Sequence, residues 1–211
     1  MKHLRLQQIT HSLLMVCMFI MVIGMPFNAR AEQLSPVAVI DRFNATLLDV
    51  MKRADQLGYK GRYAVLEPVI NDSFALSFMG AQTTGRFWKT MNEQQRNQFL
   101  KTYIDWTIAT YAGRFDGYSG ERFEPASESR AQGLVKVNSK LIQSTGEPPI
   151  AFTYIMRQID EKWRVMDIQV SGVSQLALTR AQFTDVLKNK NLDALIAMLK
   201  EKTAGFAQPK K

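Results

Sequence analysis

The sequence predicts an α+β domain in which a curved antiparallel sheet packs against helices. Apolar residues recur at helical spacing from residue 35 to 113, alternate with polar residues from 120 to 170, and return to helical spacing from 177 to 199. A run of strands between two runs of helices is typical of α+β folds rather than alternating α/β folds. The chain has 211 residues and no internal repeat, so a single domain with one hydrophobic core is expected.

Residues 1–31 have the pattern of a cleaved secretory signal peptide. Lys2 and Arg5 charge its start, residues 13–25 form an apolar run, and Ala29-Arg30-Ala31 supplies the small residues of a cleavage site. An apolar run of 13 residues is too short to span a bilayer. We therefore expect a periplasmic domain over residues 32–211, with residues 203–211 as a flexible tail.

The composition after residue 31 excludes several kinds of catalysis. His3, His11 and Cys17 are the only histidines and cysteine of the chain, and all three lie in the predicted signal peptide. A Ser-His-Asp triad, a cysteine nucleophile and a structural zinc site all need these residue types. The sequence therefore predicts a protein that is not an enzyme and that uses no metal or other cofactor.

The net charge is moderately positive. Cleavage after residue 31 would remove three of the 27 basic residues and none of the 19 acidic ones, which lowers the net charge from +8 to +5. A positive charge of this size can simply keep the protein soluble. Alternatively, it can attract the protein to anionic lipid headgroups or to an acidic partner. Nucleic acid is not an expected partner, because the chain has an export signal and no recognition motif.

The first helix is predicted to begin at Ser35-Pro36, because a serine side chain can cap the first turn and a proline ring presets its geometry. Apolar residues then recur at helical spacing as far as a break at Gly58. They are Val37, Ile40, Phe43, Leu47, Leu48 and Met51. A second, short helix is predicted over residues 62–70, and a turn or helix cap over residues 71–73.

A long central helix is predicted over residues 91–113, since Thr90 and Glu93 have the spacing of a capping box. Its apolar, aromatic and threonine side chains cover an arc of about 200° at 100° per residue. They are Phe99, Leu100, Tyr103, Ile104, Trp106, Thr107, Ile108, Thr110 and Tyr111. A helix on one core surface needs an apolar stripe of only about 100°. The surplus must be covered by other helices, by a partner or by an apolar ligand.

Alternation then predicts an antiparallel meander with one apolar face. The inward residues are Val135, Val137, Ser139 and Leu141 in one strand, Ile150, Phe152, Tyr154 and Met156 in the next, and Met166, Ile168 and Val170 in the third. Residues 122–127 can add a fourth strand. Two helices are expected to follow, one over residues 177–189 and one that begins at an Asn191 cap.

Several short motifs occur in a fixed order along the chain. G-x-x-W at 85–88, Q-R-x-x-F at 95–99 and Tyr111 are followed by W-x-V-x-D at 163–167, G-V-S at 172–174 and R-x-x-F at 180–183. Together they resemble the signature of the MlaC / toluene-tolerance family of periplasmic lipid carriers, over nearly all of residues 35–199. The run from residue 111 to 123, with Arg62-Tyr63 and Pro68, is more similar to the hopanoid-associated HpnM branch.

This resemblance implies an NTF2-like or MlaC-like fold with an internal lipid cavity between sheet and helices. It also implies a soluble carrier that shuttles phospholipid or a hopanoid between outer and inner membranes, in a system that maintains outer-membrane lipid asymmetry. The implied partners are an inner-membrane ABC transporter complex and an outer-membrane lipoprotein or porin complex. Ser171 and Ala75 stand where the family often has acidic residues, so acidic docking or headgroup contacts are not carried over.

The residues alone also favour a lipid cavity, since an apolar sheet face and an overly apolar helix can enclose acyl chains. Leaving two acyl chains with about 30 methylenes in water costs on the order of 20 kcal/mol. A surface groove could not shield these chains from water, whereas a cavity can. For each predicted wall residue, ordinary core packing is the alternative. These residues are Leu76, Phe78, Met79, Phe87, Phe99, Tyr103, Trp106, Tyr154, Met156, Met166, Ile168 and Val170.

Two other functions fit the same sequence. An enzyme on a similar fold would use Asp167 with Tyr154 or Tyr103 for general acid-base chemistry on an apolar substrate. A periplasmic adaptor or chaperone would bind protein partners through the same apolar surface.

Asp167 and Gly172 are predicted to be structural. Strand alternation places Asp167 on the face opposite Ile168, so we expect a hydrogen bond near Gly172 or an ion pair with Arg157 or Arg180. Gly172 is expected to let the last strand bend into the following helix.

Overall fold

The computed structural model describes residues 34–131, 134–144 and 146–208 of the chain. Residues 1–31, the predicted signal peptide, lie outside these ranges, as do residues 209–211 of the predicted tail. Over the described ranges, helices precede and follow one antiparallel sheet, which confirms the α+β prediction. No described helix has both the length and the apolar character that a membrane crossing requires.

In the described part, four α-helices and a 3₁₀ turn precede the sheet, and two α-helices follow it. They are α1 Pro36–Lys52, α2 Ala54–Ser73, α3 Leu76–Thr84, the 3₁₀ turn Gly85–Thr90, α4 Glu93–Arg114, α5 Gln175–Asn189 and α6 Leu192–Phe206. Ser35 and Asn191 cap α1 and α6 as predicted, because their side chains accept hydrogen bonds from backbone N–H groups in the first turn.

The helices α2 and α4 differ from the prediction at their ends. Gly58, with φ 58° and ψ −178°, interrupts α2, but the helix resumes at once and includes residues 71–73, which were predicted as a turn or cap. Asn92, not Thr90, caps α4: its side chain accepts from the Gln95 N–H, and the Gln95 side chain accepts from the Asn92 N–H. The capping box therefore lies two residues later than predicted, because asparagine is also a favourable cap.

The sheet has six strands in the described part of the chain. They are β1 Arg122–Phe123, β2 Ser127–Ala131, β3 Leu134–Ile142, β4 Ile150–Ile159, β5 Lys162–Val170 and β6 Val173–Ser174. The order across the sheet is β1-β3-β4-β5-β6, and all neighbouring strands are antiparallel. The strands β1 and β2 pair with the same edge of β3, β1 near its C-terminal end and β2 near its N-terminal end. The single strand predicted over residues 122–127 is thus two short strands, β1 and β2.

A β-bulge changes the predicted alternation in β5. Met156 lies opposite Val165 and Ile155 lies opposite Asp167, so Met166 is an extra residue without a partner in β4. Because the bulge shifts the alternation by one residue, Val165 joins the core face and is fully buried. Met166 is also buried, but it is not part of the main core cluster.

Two-residue turns connect β4 to β5 and β5 to β6. Ser171 and Gly172 form the second turn with φ values of 49° and 84°. Positive φ at both positions is typical of type I′ turns, whose twist matches that of the paired strands. Gly172 therefore has a geometric role in turning the chain toward α5, in agreement with the prediction.

The helix α4 is enclosed by three other helices, because it packs against α2, α3 and α6. These neighbours cover most of the apolar arc that exceeded the needs of one core surface. The last turns of α6 are part of this packing, since the Phe206 ring lies against Gly113 of α4. The first four residues of the predicted tail, 203–206, are therefore helical.

Candidate functional site

The interior has the inner face of the sheet as one wall. Across β4 and β5, Tyr154 lies opposite Ile168, and Phe152 lies opposite Val170. Val135 and Val137 extend this face into β3, and both are buried. Cross-strand pairing of aromatic with branched side chains makes this face continuous and apolar.

Aromatic rings from the helices meet this face in two groups. Phe43 of α1 is central to the first group, with ring centroids 5.1 Å from Phe74, 5.5 Å from Tyr111 and 6.3 Å from Tyr154. Phe183 of α5 is central to the second group, which also contains Phe99, Tyr103 and Trp106 of α4. Most of these pairs have the edge-to-face geometry that aromatic rings prefer in protein cores.

Eleven of the twelve predicted wall residues belong to this interior or border it. Eight are buried: Leu76, Met79, Phe99, Tyr103, Tyr154, Met156, Met166 and Ile168. Three are half-buried and pack against the core: Phe87, Trp106 and Val170. Their role in holding a ligand stays a prediction, since core packing alone explains the same burial.

Phe78, the twelfth predicted wall residue, lies outside this interior in the structure. Its side chain is 39% exposed on α3, whereas Leu76 and Met79 of the same helix are buried. Phe78 is two residues from Leu76, and a separation of about 200° turns it away from the interior. Residue type alone does not separate Phe78 from Leu76 and Met79, whereas its angular position on the helix does.

The side chains of this interior are closely packed in the described residues. Three surface pockets of about 310, 460 and 560 Å³ lie along α4 and near the end of α6, and none is lined by a predicted wall residue. The predicted walls other than Phe78 and Met166 instead belong to one core cluster or pack against it. A bound ligand of any size would therefore require these side chains to move apart.

A hydrogen-bonded polar group lies within the apolar interior. Asn44 of α1, only 3% exposed, accepts a hydrogen bond from the Tyr154 hydroxyl at 3.1 Å and donates one to the Ser139 hydroxyl at 3.2 Å. These bonds join α1 to β3 and β4 across the core. A buried amide with both ends partnered avoids most of the cost of desolvation and fixes how the helix lies on the sheet.

Asn44 was not predicted to lie in the interior, although its position in the sequence indicates burial. Asn44 is four residues after Ile40 and three before Leu47, so it lies on the apolar stripe of α1. A polar residue on such a stripe is expected to be buried and therefore to need hydrogen-bond partners. Ser139, which was predicted to face inward, is one of those partners.

The tyrosine hydroxyls of the interior are poorly suited to acid-base chemistry near neutral pH. Burial raises the pKa of Tyr103, Tyr111 and Tyr154 above the ordinary value for tyrosine, and the charge of Asp167 adds to the rise at Tyr103. A general acid or base works best with a pKa near the working pH. These shifts move the tyrosine pKa values farther from neutral pH, which disfavours the enzyme alternative.

Asp167 is held in a structural position. One carboxylate oxygen accepts a hydrogen bond from the Ser174 hydroxyl at 2.6 Å, and the other accepts one from the Leu176 N–H at 3.0 Å. Ser174 is the cap of α5, so the carboxylate lies at the positive end of that helix. The predicted hydrogen bond near Gly172 is therefore found, while the alternative ion pairs with Arg157 and Arg180 are not needed to satisfy Asp167.

Comparison with known proteins gives consistent matches. A family model described as MlaC protein matches residues 41–201. The chain is 26% identical over 140 residues to the intermembrane phospholipid transport system binding protein MlaC of Haemophilus influenzae, and the match spans 64% of each chain, less than two thirds of that relative. A phospholipid-binding protein from Ralstonia solanacearum, solved in complex with a phospholipid, has a similar fold, with a TM-score of 0.68 and 22% identity over 83% of this chain and 100% of that chain.

Proposed function

The chain belongs to the MlaC family, and from this premise we propose that it is a carrier protein that binds phospholipid between its sheet and its helices. The observation that carries the proposal is the single apolar interior bounded by β3, β4 and β5 on one side and by aromatic side chains of α1, α4 and α5 on the other. Acyl chains would replace contacts among these side chains. A hopanoid is the alternative cargo, in keeping with the resemblance to the HpnM branch.

A lipid that enters between these walls would have to separate side chains that contact one another. Ligand pockets for molecules of moderate size measure about 300 to 1,000 Å³, and the core cluster is filled by its own side chains. Lipid binding would therefore select a wider state of the interior, in which the helices move away from the sheet. Phe87, Trp106 and Val170 are at the border of the core and only half-buried, so they are the walls that we expect to move first.

The transport role extends the same proposal. The carrier would be exported to the periplasm by residues 1–31 and would move lipid between the outer and inner membranes. Its partners would be an inner-membrane ABC transporter complex and an outer-membrane lipoprotein or porin complex. Docking to a transporter would stabilise the wider state and so lower the affinity for the cargo.

Mass spectrometry of the protein tests the proposal directly. The full chain is expressed with its N-terminal segment, purified from the periplasm, and measured under native and denaturing conditions. We expect one lipid equivalent to be released on denaturation, and its mass distinguishes phospholipid from hopanoid. A protein that emerges empty and takes up neither lipid from vesicles would contradict the carrier function and favour the adaptor alternative.

A variant that fills the interior locates the site. Ile168→Trp adds a large ring on the inner face of β5 opposite Tyr154, and we expect it to retain little or no lipid. Lys136→Trp places the same ring on an exposed position of β3 and should retain lipid normally. If Ile168→Trp fails to fold by circular dichroism, Val170→Trp at the half-buried end of β5 takes its place. Normal lipid content in a folded wall variant would show that the walls are wrongly assigned.

A further inference from the structure

Large apolar side chains are exposed on neighbouring elements at one end of the protein. Phe78 of α3, Val173 of β6 and Leu178 of α5 are exposed by 39%, 49% and 47%. The helices α3 and α5 pack against each other, and β6 leads directly into α5. Leucine, valine and phenylalanine with this exposure are usually tolerated singly, whereas several on adjoining elements indicate an interaction site.

The same elements lack acidic residues. Residues 73–92 contain no aspartate or glutamate, and neither do residues 168–184. Asp167 itself is occupied by Ser174 and the Leu176 N–H. These two segments include α3, the 3₁₀ turn, β6 and the first part of α5, which contact one another in the fold.

Basic residues are present on these acid-free segments. Arg86 and Lys89 are exposed on the 3₁₀ turn, and the guanidinium of exposed Arg180 lies against Gly85 at the end of α3. The Arg86 guanidinium is 5.2 Å from the centre of the Phe87 ring, so cationic and aromatic groups are in contact here. We call the exposed set the basic apolar patch. It consists of Phe78, Arg86, Lys89, Val173, Leu178 and Arg180.

We propose that the basic apolar patch is a docking surface for the headgroup region of an anionic lipid bilayer. Exposed apolar tips can enter the boundary between headgroups and acyl chains while arginine and lysine side chains remain among the phosphates. Each cation near an anionic membrane surface contributes a modest attraction, so three of them with apolar anchors give a weak and reversible contact. The proposed carrier function gives a reason for this contact, and to that extent the proposal rests on it. Binding to a membrane can nevertheless be measured separately from the bound cargo.

The composition of the patch favours a bilayer over a protein partner. A protein interface usually has an apolar centre with a polar rim of both charges, whereas the segments that carry these cations and apolar side chains contain no acidic residue. The nearby pair of Arg96 and Trp88, with the guanidinium 5.2 Å from the ring centre, adds an aromatic side chain of the kind enriched at membrane interfaces.

Flotation with vesicles tests the proposal. The purified protein is mixed with phosphatidylcholine vesicles or with vesicles of equal parts phosphatidylcholine and phosphatidylglycerol, at low and at high salt. We expect binding to the anionic vesicles that weakens with salt. Arg86→Glu with Lys89→Glu should reduce that binding by about tenfold or more, given the contribution of each basic residue. The matched reversal on exposed positions of α6, Lys200→Glu with Lys202→Glu, should reduce it far less.

A second variant tests the apolar anchors, and cargo analysis separates the two proposals. Val173→Ser with Leu178→Ser should weaken binding to the anionic vesicles, and the remaining binding should still depend on salt. This variant and the Arg86→Glu, Lys89→Glu variant should both retain their bound lipid in mass spectrometry. Equal binding by the patch variant and the α6 control would place the contact elsewhere. No binding of the unchanged protein to either vesicle would overturn the membrane assignment in favour of an acidic protein partner. Loss of cargo from the unchanged protein contradicts the carrier function alone.

Discussion

The Asp167 carboxylate accepts a hydrogen bond from the Ser174 hydroxyl, with 2.6 Å between the two oxygens. Ser174 in turn caps α5 by accepting a hydrogen bond from the Ala177 N–H. The other Asp167 oxygen accepts from the Leu176 N–H. A side chain in the middle of β5 thus fixes the beginning of the helix that follows the next turn, which explains why the D and the G-V-S motif occur together.

Removal of either partner of this link should destabilise the fold. We expect Ser174→Ala to lower the free energy of unfolding by about 1 kcal/mol through loss of the cap, and Asp167→Ala by about 1.5 to 3 kcal/mol through loss of a charged acceptor. Urea denaturation measures both. Because the residues share one hydrogen bond, the double variant should lose less than the sum of the single losses. Strictly additive losses would mean that the two residues act independently.

The buried amide of Asn44 should make the Tyr154 hydroxyl important for stability. Tyr154→Phe leaves one side of the Asn44 oxygen without its donor, and we expect a loss of about 1 to 3 kcal/mol in denaturant unfolding. Tyr118→Phe removes a hydroxyl from an exposed ring and should have almost no effect. Equal effects of the two variants would show that water or another group replaces the lost bond.

Gly113 is needed for the end of α6 to approach α4. Alanine is usually more stable than glycine within a helix by about 1 kcal/mol, but a Cβ at position 113 would lie 2.3 Å from Cδ1 of Phe206. We therefore expect Gly113→Ala to lower the melting temperature. In a Phe206→Ala background the same change should cost less. Gly205→Ala, which meets nothing within 4 Å, is the matched control, and a melting temperature for Gly113→Ala that equals or exceeds that control would refute the clash.

Ser73 offers a stabilising change. Its hydroxyl is fully buried at the end of α2 and has no hydrogen-bond partner among the described residues. A buried polar group without a partner costs about 1 to 3 kcal/mol, so Ser73→Ala should raise the free energy of unfolding by part of that amount. Ser77→Ala, on an exposed position of α3, should leave it unchanged. A loss of stability in Ser73→Ala would reveal a partner such as a bound water molecule.

Asp72 should make stability depend on pH in acid. The hydrogen bond from Arg42 is the main cause that lowers the pKa of this carboxyl below its ordinary value, with smaller contributions from Lys162 and Arg164. A lowered folded-state pKa gives stability that is present above 3.8 and is lost as the pH falls through the folded-state value. We expect Asp72→Asn to be less stable at neutral pH and to lose less stability on acidification. Parallel pH profiles of the two proteins in denaturant titrations would contradict this.

The periodicity of the sequence predicts most of the architecture but not its irregularities. Alternation in β3 was confirmed because Val135, Val137, Ser139 and Leu141 all face inward without interruption. In β5 the prediction was confirmed at Ile168 and Val170 but not before the bulge at Met166, because the bulge depends on pairing with β4, which is not visible in one strand alone. Val165 was missed for that reason.

The candidate site could be predicted only as a set of apolar side chains. Residue type and spacing identified Tyr154 and Phe99 as interior, but could not show which other side chains pack against them. Phe78 has the same residue type as Phe99 and the opposite environment. Whether a side chain lines a cavity, packs in a core or faces solvent is decided by neighbours from distant parts of the chain.

The filled interior has a consequence for how firmly such a carrier would hold its cargo. An empty cavity would leave the unloaded protein unstable, and nearly the whole transfer free energy of the acyl chains would then oppose their release. Here the side chains of the core cluster contact one another, so a lipid that entered would exchange some of these contacts for contacts with its own acyl chains. The affinity for lipid would then be a small difference between two sets of apolar contacts. A modest binding free energy from a receiving membrane system would suffice to release the cargo.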